Sequence, residues 1–479
     1  MFFIILKFFS IYHPSLHSHH DYVHLVVIFL NFFLLKPNFN NVVHCWNNGL
    51  ALTPPMGWMD WTIVKCNVDC EHHPHLCVNQ QLYREAIDLL VSEGYYELGY
   101  NTVNIDDCWL ARRRDPKTHQ LLPNNTRFPN GIPSLVKYAN SKGLQLGIYE
   151  DIGTATCAGY PGTRSNGNDW TMLDAKTFTE WGVGSLKMDG CFFVQNPNEM
   201  QKAYTQYSYA LQQHGSSIVF ACSWPAYLKE NESDYEQIRR VCNYWRNYGD
   251  IDFSWTIVDN IIKHYGKYCH KYSKYHGPGG WFDPDMLIIG SKKLTLEQSK
   301  TQMAFWCLWS APLLMSNDLV NIATELKQIL QNRHLIELDQ DPLGKMGVLV
   351  GNISNIKNTE VWVKELSKQQ SLNRSSFSNN DNNIFSSLSS TITPWIVLYY
   401  NRDKHNVHIL SHKLSNLIPT LKSGIKYNVH DLYQDGKVID SLNSDDYLKL
   451  KVLNDGAVRI VKLVADEKDK EEVFDGDVD

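Results

Sequence analysis

The stretch Gly184-Ser-Leu-Lys-Met-Asp-Gly-Cys191 predicts a short buried strand that carries Lys187 and Asp189 to its own C-terminal end. An apolar run that stops on an acid, followed by Gly and Cys, is where a parallel α/β sheet places a reactive group. An ordinary strand end with an Asp turn has the same pattern. Whether this stretch carries a reactive group therefore depends on the residues at the ends of the other strands.

Seven more apolar stretches of this kind occur, and helical patterns separate most of them. They are Met56–Trp61, Thr102–Trp109, Leu144–Asp151, Ser217–Trp224, Tyr244–Asp250, Trp281–Met286 and Cys307–Met315. The clearest helix runs from Asn79, its predicted N-cap, to Glu93, and Gly94 stops it. Eight strands alternating with helices predict an α/β fold, a (β/α)8 TIM barrel. A doubly wound open sheet is the alternative, but no Gly-rich phosphate loop follows the first strand.

The pattern changes after Gly344, where short strands separated by turn residues predict a C-terminal antiparallel β-sandwich. These strands are Glu360–Lys364, Pro394–Tyr400, Asn406–Leu410, Tyr427–Leu432 and Ala457–Val461. We predict a barrel over 47–342 and a sandwich over 343–465, with a Ser/Asn-rich insertion at 366–393 and an acidic tail at 466–479. Residues 1–46 contain two apolar runs, each too short for a membrane span, and are predicted to be a signal peptide or leader outside the fold. A signal anchor is the competing interpretation.

Composition excludes some classes of function. The net charge of -6 gives no basic face for nucleic acid, and 43% hydrophobic residues are ordinary for a globular protein. The chain has eleven cysteines, and the spacing of Cys66, Cys70 and Cys77 lacks the short pairs of a zinc site. Disulfides in an oxidising compartment are therefore expected. Four glycosylation sequons agree with that compartment: Asn124, Asn231, Asn352 and Asn373.

In a parallel barrel the C-terminal ends of all strands form one rim. The predicted rim residues are Trp61, Asp106, Asp107, Tyr149, Lys187, Asp189, Ser223, Arg246, Asp250 and Asp285. Many acceptors with a few donors suit the hydroxyls of a sugar, and paired carboxylates favour glycoside hydrolysis. The rim offers almost no His, which argues against zinc, and a magnesium site held by the aspartates is the remaining alternative. We expect no metal and no organic cofactor.

Ordered motifs along the chain carry a family resemblance. They are Met56-Gly-Trp58, Ile105-Asp-Asp-Cys-Trp109, Gly147-Ile-Tyr149, Leu186-Lys-Met-Asp-Gly-Cys191, Cys222-Ser-Trp-Pro-Ala-Tyr227, Trp245-Arg-Asn247, Asp250-Ile-Asp252, Asp283-Pro-Asp-Met286 and Gln340-Asp-Pro-Leu-Gly344. Together they closely resemble glycoside hydrolase family 27, the α-galactosidases and α-N-acetylgalactosaminidases. The resemblance is strong from Asn48 to Gly347 and weak in the C-terminal sandwich.

The resemblance implies a role for each matching residue. Asp189 resembles the nucleophile and Asp250 the general acid and base, with Asp252 as a neighbour that spacing alone does not exclude. The substrate-binding residues it implies are Trp61, Asp106, Asp107, Tyr149, Cys157, Lys187, Ser223, Ala226, Tyr227 and Arg246. It also implies the disulfides Cys66–Cys108, Cys70–Cys77, Cys157–Cys191 and Cys222–Cys242, which leaves Cys45, Cys269 and Cys307 unpaired.

The residues Ser223 and Ala226 favour one specificity within the family. The animal α-galactosidases carry Glu and Leu at these positions, which leave room only for a hydroxyl at the sugar 2-position. Ser and Ala open that space, so the resemblance implies α-N-acetylgalactosaminidase activity, with α-galactose cleaved more slowly. The alternatives are an α-galactosidase with an enlarged pocket and a sugar-binding pseudoenzyme. Glycoprotein or glycolipid substrates, a homodimer and a lysosomal or secreted location are further expectations from the resemblance.

Three residues depart from the family pattern. Phe282 stands where Asn is usual, Glu150 replaces a small residue after Tyr149, and Asp60 stands where His or Ala is more usual. Phe282 is expected to alter a hydrogen bond near the site and to reduce the rate. None of the three removes a predicted catalytic group.

Overall fold

A computed structural model describes residues 48–215, 217–351, 355–368 and 392–466. The described residues all belong to one compact unit. Across these ranges no helix combines the length and apolarity needed to cross a membrane. Several predictions lie outside the described residues: the leader at 1–46, Cys45, Asn352, Asn373, nearly all of the Ser/Asn-rich insertion, and the acidic tail beyond Asp466.

Eight parallel strands form the barrel. They are β1 Met56–Met59, β2 Thr102–Asn104, β3 Gln145–Asp151, β4 Ser185–Asp189, β5 Val219–Cys222, β6 Tyr244–Arg246, β7 Trp281–Asp283 and β8 Leu313–Met315. Their hydrogen-bonded order is β7-β6-β5-β4-β3-β2-β1-β8. Leu287, just after β7, forms a parallel bridge with Met315 of β8 and so closes the ring. The predicted (β/α)8 barrel is confirmed.

Helices cover the outside of the strands. They are Gln80–Ser92, Gly131–Ser141, Thr171–Trp181, Pro197–Gln213, Tyr235–Val241, Trp255–Tyr272, Leu296–Leu308, Thr324–Leu330 and Arg333–Asp339. The side chain of Asn79 caps the first of these by accepting from the Leu82 amide at 2.8 Å, as predicted. Gly94 adopts φ +77° beyond its end, a conformation that glycine tolerates without strain.

The eighth predicted strand begins too early. Cys307 and Leu308 are the last two residues of the helix Leu296–Leu308, and β8 begins at Leu313. This helix starts from a capping box between Thr295 and Gln298, and most of its side chains are buried. A helix buried on all sides has no polar face, so its apolar run merges with that of the next strand in the sequence.

Several other strands are shorter than predicted at their C-terminal ends. β1 ends at Met59, and a helical turn Trp61–Val64 follows it. β2, β6 and β7 each contain three residues, so their predicted last residues lie in loops. These loops carry the predicted rim residues Asp106, Asp107, Asp250 and Asp285. The sequence could not show where these strands end, because the loops that lead from the strands to the site contain the same residue types as strand ends.

The C-terminal region is an antiparallel sandwich. Its strands are β9 Val348–Leu349, β10 Thr359–Glu365, β11 Trp395–Asn401, β12 His408–Lys413, β13 Lys426–Asp431, β14 Lys437–Asn443, β15 Tyr447–Val452 and β16 Ala457–Ala465. Six strands form one sheet in the order β14-β13-β16-β11-β10-β9, and β12 pairs with β15. The sequence prediction of a sandwich is confirmed, although it missed β9, β14 and β15.

The larger sheet packs on the barrel through one of its two faces. Val361 and Val397 belong to the sandwich core, whereas Trp362 and Leu398, one position further along, join the barrel core. This alternation follows from the period of two in a strand. The buried Lys364 ammonium donates to the carbonyls of Cys307 and Leu338, the C-terminal ends of two barrel helices, at 3.1 and 3.0 Å. The sandwich therefore supports the barrel from outside.

Candidate active site

β3 and β4 bring four polar side chains to the mouth of the barrel. Register pairs Tyr149 with Lys187 and Asp151 with Asp189. Because residues i and i+2 of a strand share a face, these four side chains point the same way. The apolar positions between them, such as Met188, point outward and are buried. The predicted residues Lys187 and Asp189 thus lie together at the C-terminal end of β4.

Two tyrosines hold the Asp189 carboxylate. The Tyr227 hydroxyl donates to Oδ1 at 2.5 Å, and the Tyr149 hydroxyl donates to Oδ2 at 3.1 Å. The backbone amide of Gly190 also donates to Oδ1 at 3.2 Å. Sequence reasoning treated both tyrosines as contacts of the sugar and missed this role. The carboxylate is therefore held in one orientation at the mouth.

Asp106 and Asp107, in the loop after β2, form a pair of carboxylates beside β4. Lys187 donates to Asp106 Oδ2 at 2.6 Å, and its ammonium lies 5.2 Å from the centroid of the Tyr149 ring. Burial would lower the pKa of Lys187, but the charges of Asp106 and Asp189 raise it overall. Asp107 Oδ1 accepts from the Cys108 amide at 2.6 Å, and its Oδ2 accepts from the Ala158 amide at 2.9 Å. Asp106 and Asp107 are therefore buried and held in fixed orientations.

The loop after β6 carries the other predicted catalytic residue. Arg246 donates to Asp250 Oδ1 at 3.0 Å and pairs with Asp285 Oδ2 at 2.8 Å. The Asp250 side chain is 84% exposed. Partial desolvation would raise the pKa of Asp250, but the charges of Arg246 and Lys187 outweigh it, so the pKa is lowered. Without a ligand, Asp250 is therefore an ionised, solvent-facing carboxylate.

Two loops approach each other near Asp250. Lys65 of the β1 loop pairs with Asp252 at 3.4 Å, and its ammonium lies 5.6 Å from the centroid of the half-buried Trp61 ring. Asp252 therefore pairs with Lys65, whereas Asp250 pairs with Arg246. This difference in partners separates two acids that their spacing in the sequence could not separate.

The loop after β5 supplies Ser223, Ala226 and Tyr227. Ser223 is buried and lines a cavity together with Lys187 and Arg246. The cavity wall also includes Met59, Ala221, Cys222, Tyr244, Asp283, Asp285, Met286 and Leu314. Ala226 is exposed in the short helical turn that follows. The Ser223 amide donates to the Met188 carbonyl at 2.9 Å, which ties this loop to the strand of Asp189.

Four disulfides brace the loops around the mouth. The structure contains Cys66–Cys108, Cys70–Cys77, Cys157–Cys191 and Cys222–Cys242, the pairs that the resemblance implies. Among the described residues Cys269 and Cys307 are free and buried. Cys157 Sγ lies 3.6 Å from Asp189 Oδ2, so this disulfide borders the site directly.

One group of possible metal ligands occurs within the described ranges. It consists of Asp151, Cys157 and Cys191. The two sulfurs belong to one disulfide and are not thiolates, the form that binds metals. Only the Asp151 carboxylate remains, and it already accepts from the amides of Gly153 at 2.7 Å and Cys191 at 2.8 Å. This group is therefore poorly suited to hold an ion.

Asp151 is a site residue that sequence reasoning missed. Burial and the charge of Asp189 raise the pKa of Asp151 well above its ordinary range. It points into the mouth because it lies two positions after Tyr149 on β3. The alternation of β3, counted from Tyr149, could have identified it.

Two residues that depart from the family pattern lie outside the mouth. The Phe282 ring is fully buried and stacks on Tyr272, with ring centroids 4.4 Å apart. Glu150 points outward and is fully buried, and its pKa is raised far above normal by burial and the charge of Asp174. The Phe282 ring contacts mainly aromatic side chains. Its expected effect on a hydrogen bond near the site, and on the rate, stays a prediction.

This geometry can bind a polyhydroxyl ligand and cleave a bond next to it. Asp106 and Asp107 are fixed acceptors, while Asp189 and Asp250 lie in contrasting environments, one held by tyrosines and one exposed beside Arg246. Paired carboxylates at the mouth of a (β/α)8 barrel are the arrangement of a glycoside hydrolase.

Comparison with known proteins gives the family. The family profile described as "Alpha galactosidase A" matches residues 53–341. An α-N-acetylgalactosaminidase from Gallus gallus is 39% identical over 413 residues, covering 86% of this chain and 93% of that protein. The α-galactosidase A of Homo sapiens is 44% identical over 322 residues, covering 67% and 73%. The crystal structure of α-galactosidase I from Mortierella vinacea has a TM-score of 0.72 at 26% identity, covering 87% of this chain and 98% of that one. The chain belongs to this family, glycoside hydrolase family 27, and hydrolyses α-glycosides.

Proposed function

We propose that this enzyme is a retaining exo-glycosidase that removes terminal α-linked N-acetylgalactosamine, and more slowly α-galactose, from glycoconjugates. One observation carries the mechanistic part: Asp189 is immobilised by two tyrosine hydroxyls, while Asp250 faces solvent beside Arg246. A nucleophile has to be held in position, and an acid or base has to exchange protons with water.

Two displacements at the anomeric carbon follow. Asp189 attacks this carbon and forms an ester, while the glycosidic bond breaks and Asp250 gives its proton to the departing oxygen. Asp250, now ionised, takes a proton from water, and the water oxygen attacks the same carbon and releases Asp189. Two inversions give net retention, and both carboxyl groups return to their starting states.

The first step requires a protonated Asp250. The Arg246 ion pair lowers the pKa of Asp250 in the free enzyme. A bound sugar covers the carboxyl group and excludes water, which favours its neutral form. The enzyme therefore needs an acidic medium, and its kcat/KM should fall as the pH rises from acidic to neutral values.

Specificity is assigned to Ser223 and Ala226. The buried Ser223 is in the cavity wall next to Lys187, where its hydroxyl can donate to an acetamido carbonyl. The small Ala226 leaves space for the acetyl methyl. A site that hydrogen-bonds an added group selects for it better than one that only tolerates it. The relatives support the proposal that both sugars are cleaved, since they include an α-N-acetylgalactosaminidase and an α-galactosidase.

The test compares kcat/KM on nitrophenyl α-N-acetylgalactosaminide and α-galactoside at acidic pH. The wild type should prefer the acetamido sugar, and the double variant Ser223→Glu with Ala226→Leu should prefer galactose. A wild-type preference for galactose would replace our assignment with an α-galactosidase. Asp189→Asn should abolish turnover and retain sugar binding, whereas absence of turnover in the wild type would indicate a sugar-binding protein.

The cellular setting is proposed on chemical grounds. Four disulfides indicate an oxidising compartment. Burial raises the pKa of Asp60 to about 7 and of Asp107 and Asp283 to about 6, which suits an acidic lumen. We propose a lysosomal or secreted glycoprotein with glycans at Asn124 and Asn231, and enzymatic deglycosylation followed by mass measurement tests those sites. A homodimer is proposed from the family resemblance, and light scattering during gel filtration tests it.

A further inference from the structure

We infer that Asp60 is a positioning residue that fixes the Asp106–Asp107 turn and makes sugar binding depend on its own charge. The inference rests on the proposed function, because it takes Asp106 to be a sugar contact. Asp60 follows β1 directly and is completely buried. Its Oδ1 accepts from the Asp106 amide at 2.8 Å, and its Oδ2 accepts from the Tyr83 hydroxyl at 3.0 Å. One side chain therefore joins the ends of β1 and β2 to the helix Gln80–Ser92.

The Asp60 contact continues into the site. Asp106 Oδ1 accepts from the Asp107 amide at 2.8 Å, and its Oδ2 accepts from Lys187 at 2.6 Å. The Asp106 amide is therefore the point where Asp60 controls the direction of both carboxylates in the turn. Loss of the Asp60 acceptor would leave that buried amide without its partner and free the turn to move.

Charge gives the contact a second effect. Asp60 lies beside Asp106, and the Asp106 carboxylate is the one that pairs with the Lys187 ammonium. Tyr83 faces Asp60 from the helix, with Arg127 within electrostatic reach of Tyr83. Burial and the Asp106 charge raise the pKa of Asp60 to about 7.

Protonation of Asp60 preserves its contacts. Oδ1 faces an N–H donor, so the proton belongs on Oδ2, where the Tyr83 oxygen can accept it. At pH values below about 7 the neutral form of Asp60 predominates, and Asp106 keeps its Lys187 partner. Above that pH a second negative charge arises beside Asp106 and disturbs the turn that binds the sugar.

The experiment measures KM and kcat for nitrophenyl α-N-acetylgalactosaminide from pH 4.5 to 8.5 with the wild type, Asp60→Asn and Asp60→Ala. Asn keeps an acceptor for the Asp106 amide and stays neutral. We expect the wild-type KM to rise roughly tenfold more than the Asp60→Asn KM between pH 6 and 8, because the titration of Asp107 and Asp250 is common to both proteins and only the wild type gains the Asp60 charge. Asp60→Ala should raise KM at every pH with a smaller change in kcat. Asp88→Asn, the same change on the outer surface of the same helix, should keep the wild-type profile.

Either of two results would overturn the inference: an Asp60→Asn profile that rises like the wild type, or an Asp60→Ala variant with unchanged KM at pH 5. If Asp60→Ala fails to fold, the Asp60→Asn profile still decides. The inhibition constant of the free sugar, measured over the same range, gives a readout of binding that is independent of turnover. A wild type that cleaves neither glycoside would overturn the proposed function instead, so the two failures are distinguishable.

Discussion

Replacing Tyr227 by Phe should slow one chemical step and spare the other. The Tyr227 hydroxyl donates to Asp189 Oδ1 at 2.5 Å. In the first displacement Asp189 loses its negative charge as it forms the ester, so this hydrogen bond weakens. In the second displacement the carboxylate leaves and its charge returns, so the hydrogen bond strengthens in the transition state. Only interactions that strengthen in the transition state accelerate a step.

The expected size follows from the type of bond. A hydrogen bond to a charged group contributes about 1.5–3 kcal/mol, and 1.4 kcal/mol is a factor of ten, so kcat should fall roughly 10- to 100-fold. The Tyr149 hydroxyl lies further away, at 3.1 Å, so Tyr149→Phe should have a smaller effect. Because the ester intermediate would accumulate, KM should fall together with kcat and kcat/KM should change little.

The assay is rapid mixing of Tyr227→Phe with nitrophenyl α-N-acetylgalactosaminide. We expect a burst of nitrophenol close to one equivalent per active site, followed by slow turnover. Tyr138→Phe is the matched control, because it removes a tyrosine–carboxylate hydrogen bond of 2.7 Å to Asp88 on the outer surface of the barrel. No burst, together with equal losses in kcat and kcat/KM, would refute the reasoning that Tyr227 acts on the returning charge of Asp189.

Three further outcomes are expected. Thermal stability should fall as the pH rises from 5 to 7.5. Asp60 and Asp107 have folded pKa values of about 7 and 6, so their stabilising contribution is complete below pH 4 and is lost as the pH rises through the folded pKa values. A stability that does not change with pH over this range would contradict the prediction. Arg114→Met should lower the free energy of unfolding, measured with denaturant, by about 3–5 kcal/mol, because it leaves the buried Asp174 carboxylate without its ion-pair partner. Lys176→Met, which removes an exposed ion pair with Glu180, should lower it by less than about 1 kcal/mol. Phe282→Asn should lower the melting temperature without raising activity, and increased activity would restore a polar role for this position.

The sequence was most informative where a pattern has one physical solution. Alternating strands and helices leave few architectures other than a parallel barrel, and Asn79 acts as the predicted cap because its side chain serves an unpaired helix amide. The sequence was least informative where apolar runs join. The helix ending at Leu308 and the strand beginning at Leu313 could not be separated, because the last two turns of the helix (301–308) and the strand are buried on all sides.

At the candidate site the sequence indicated most of the polar residues at the rim, since strand ends converge in any parallel barrel, but it missed Asp151. Tertiary structure alone decided how they pair. Asp250 and Asp252 are two positions apart, yet one pairs with Arg246 and the other with Lys65. In the sequence Asp60 was only a departure from a motif, and its contact with the Asp106 amide, 46 positions away, is what carries the role proposed above. Hydrogen-bond partners and burial depend on residues distant in the chain, and no local pattern encodes them.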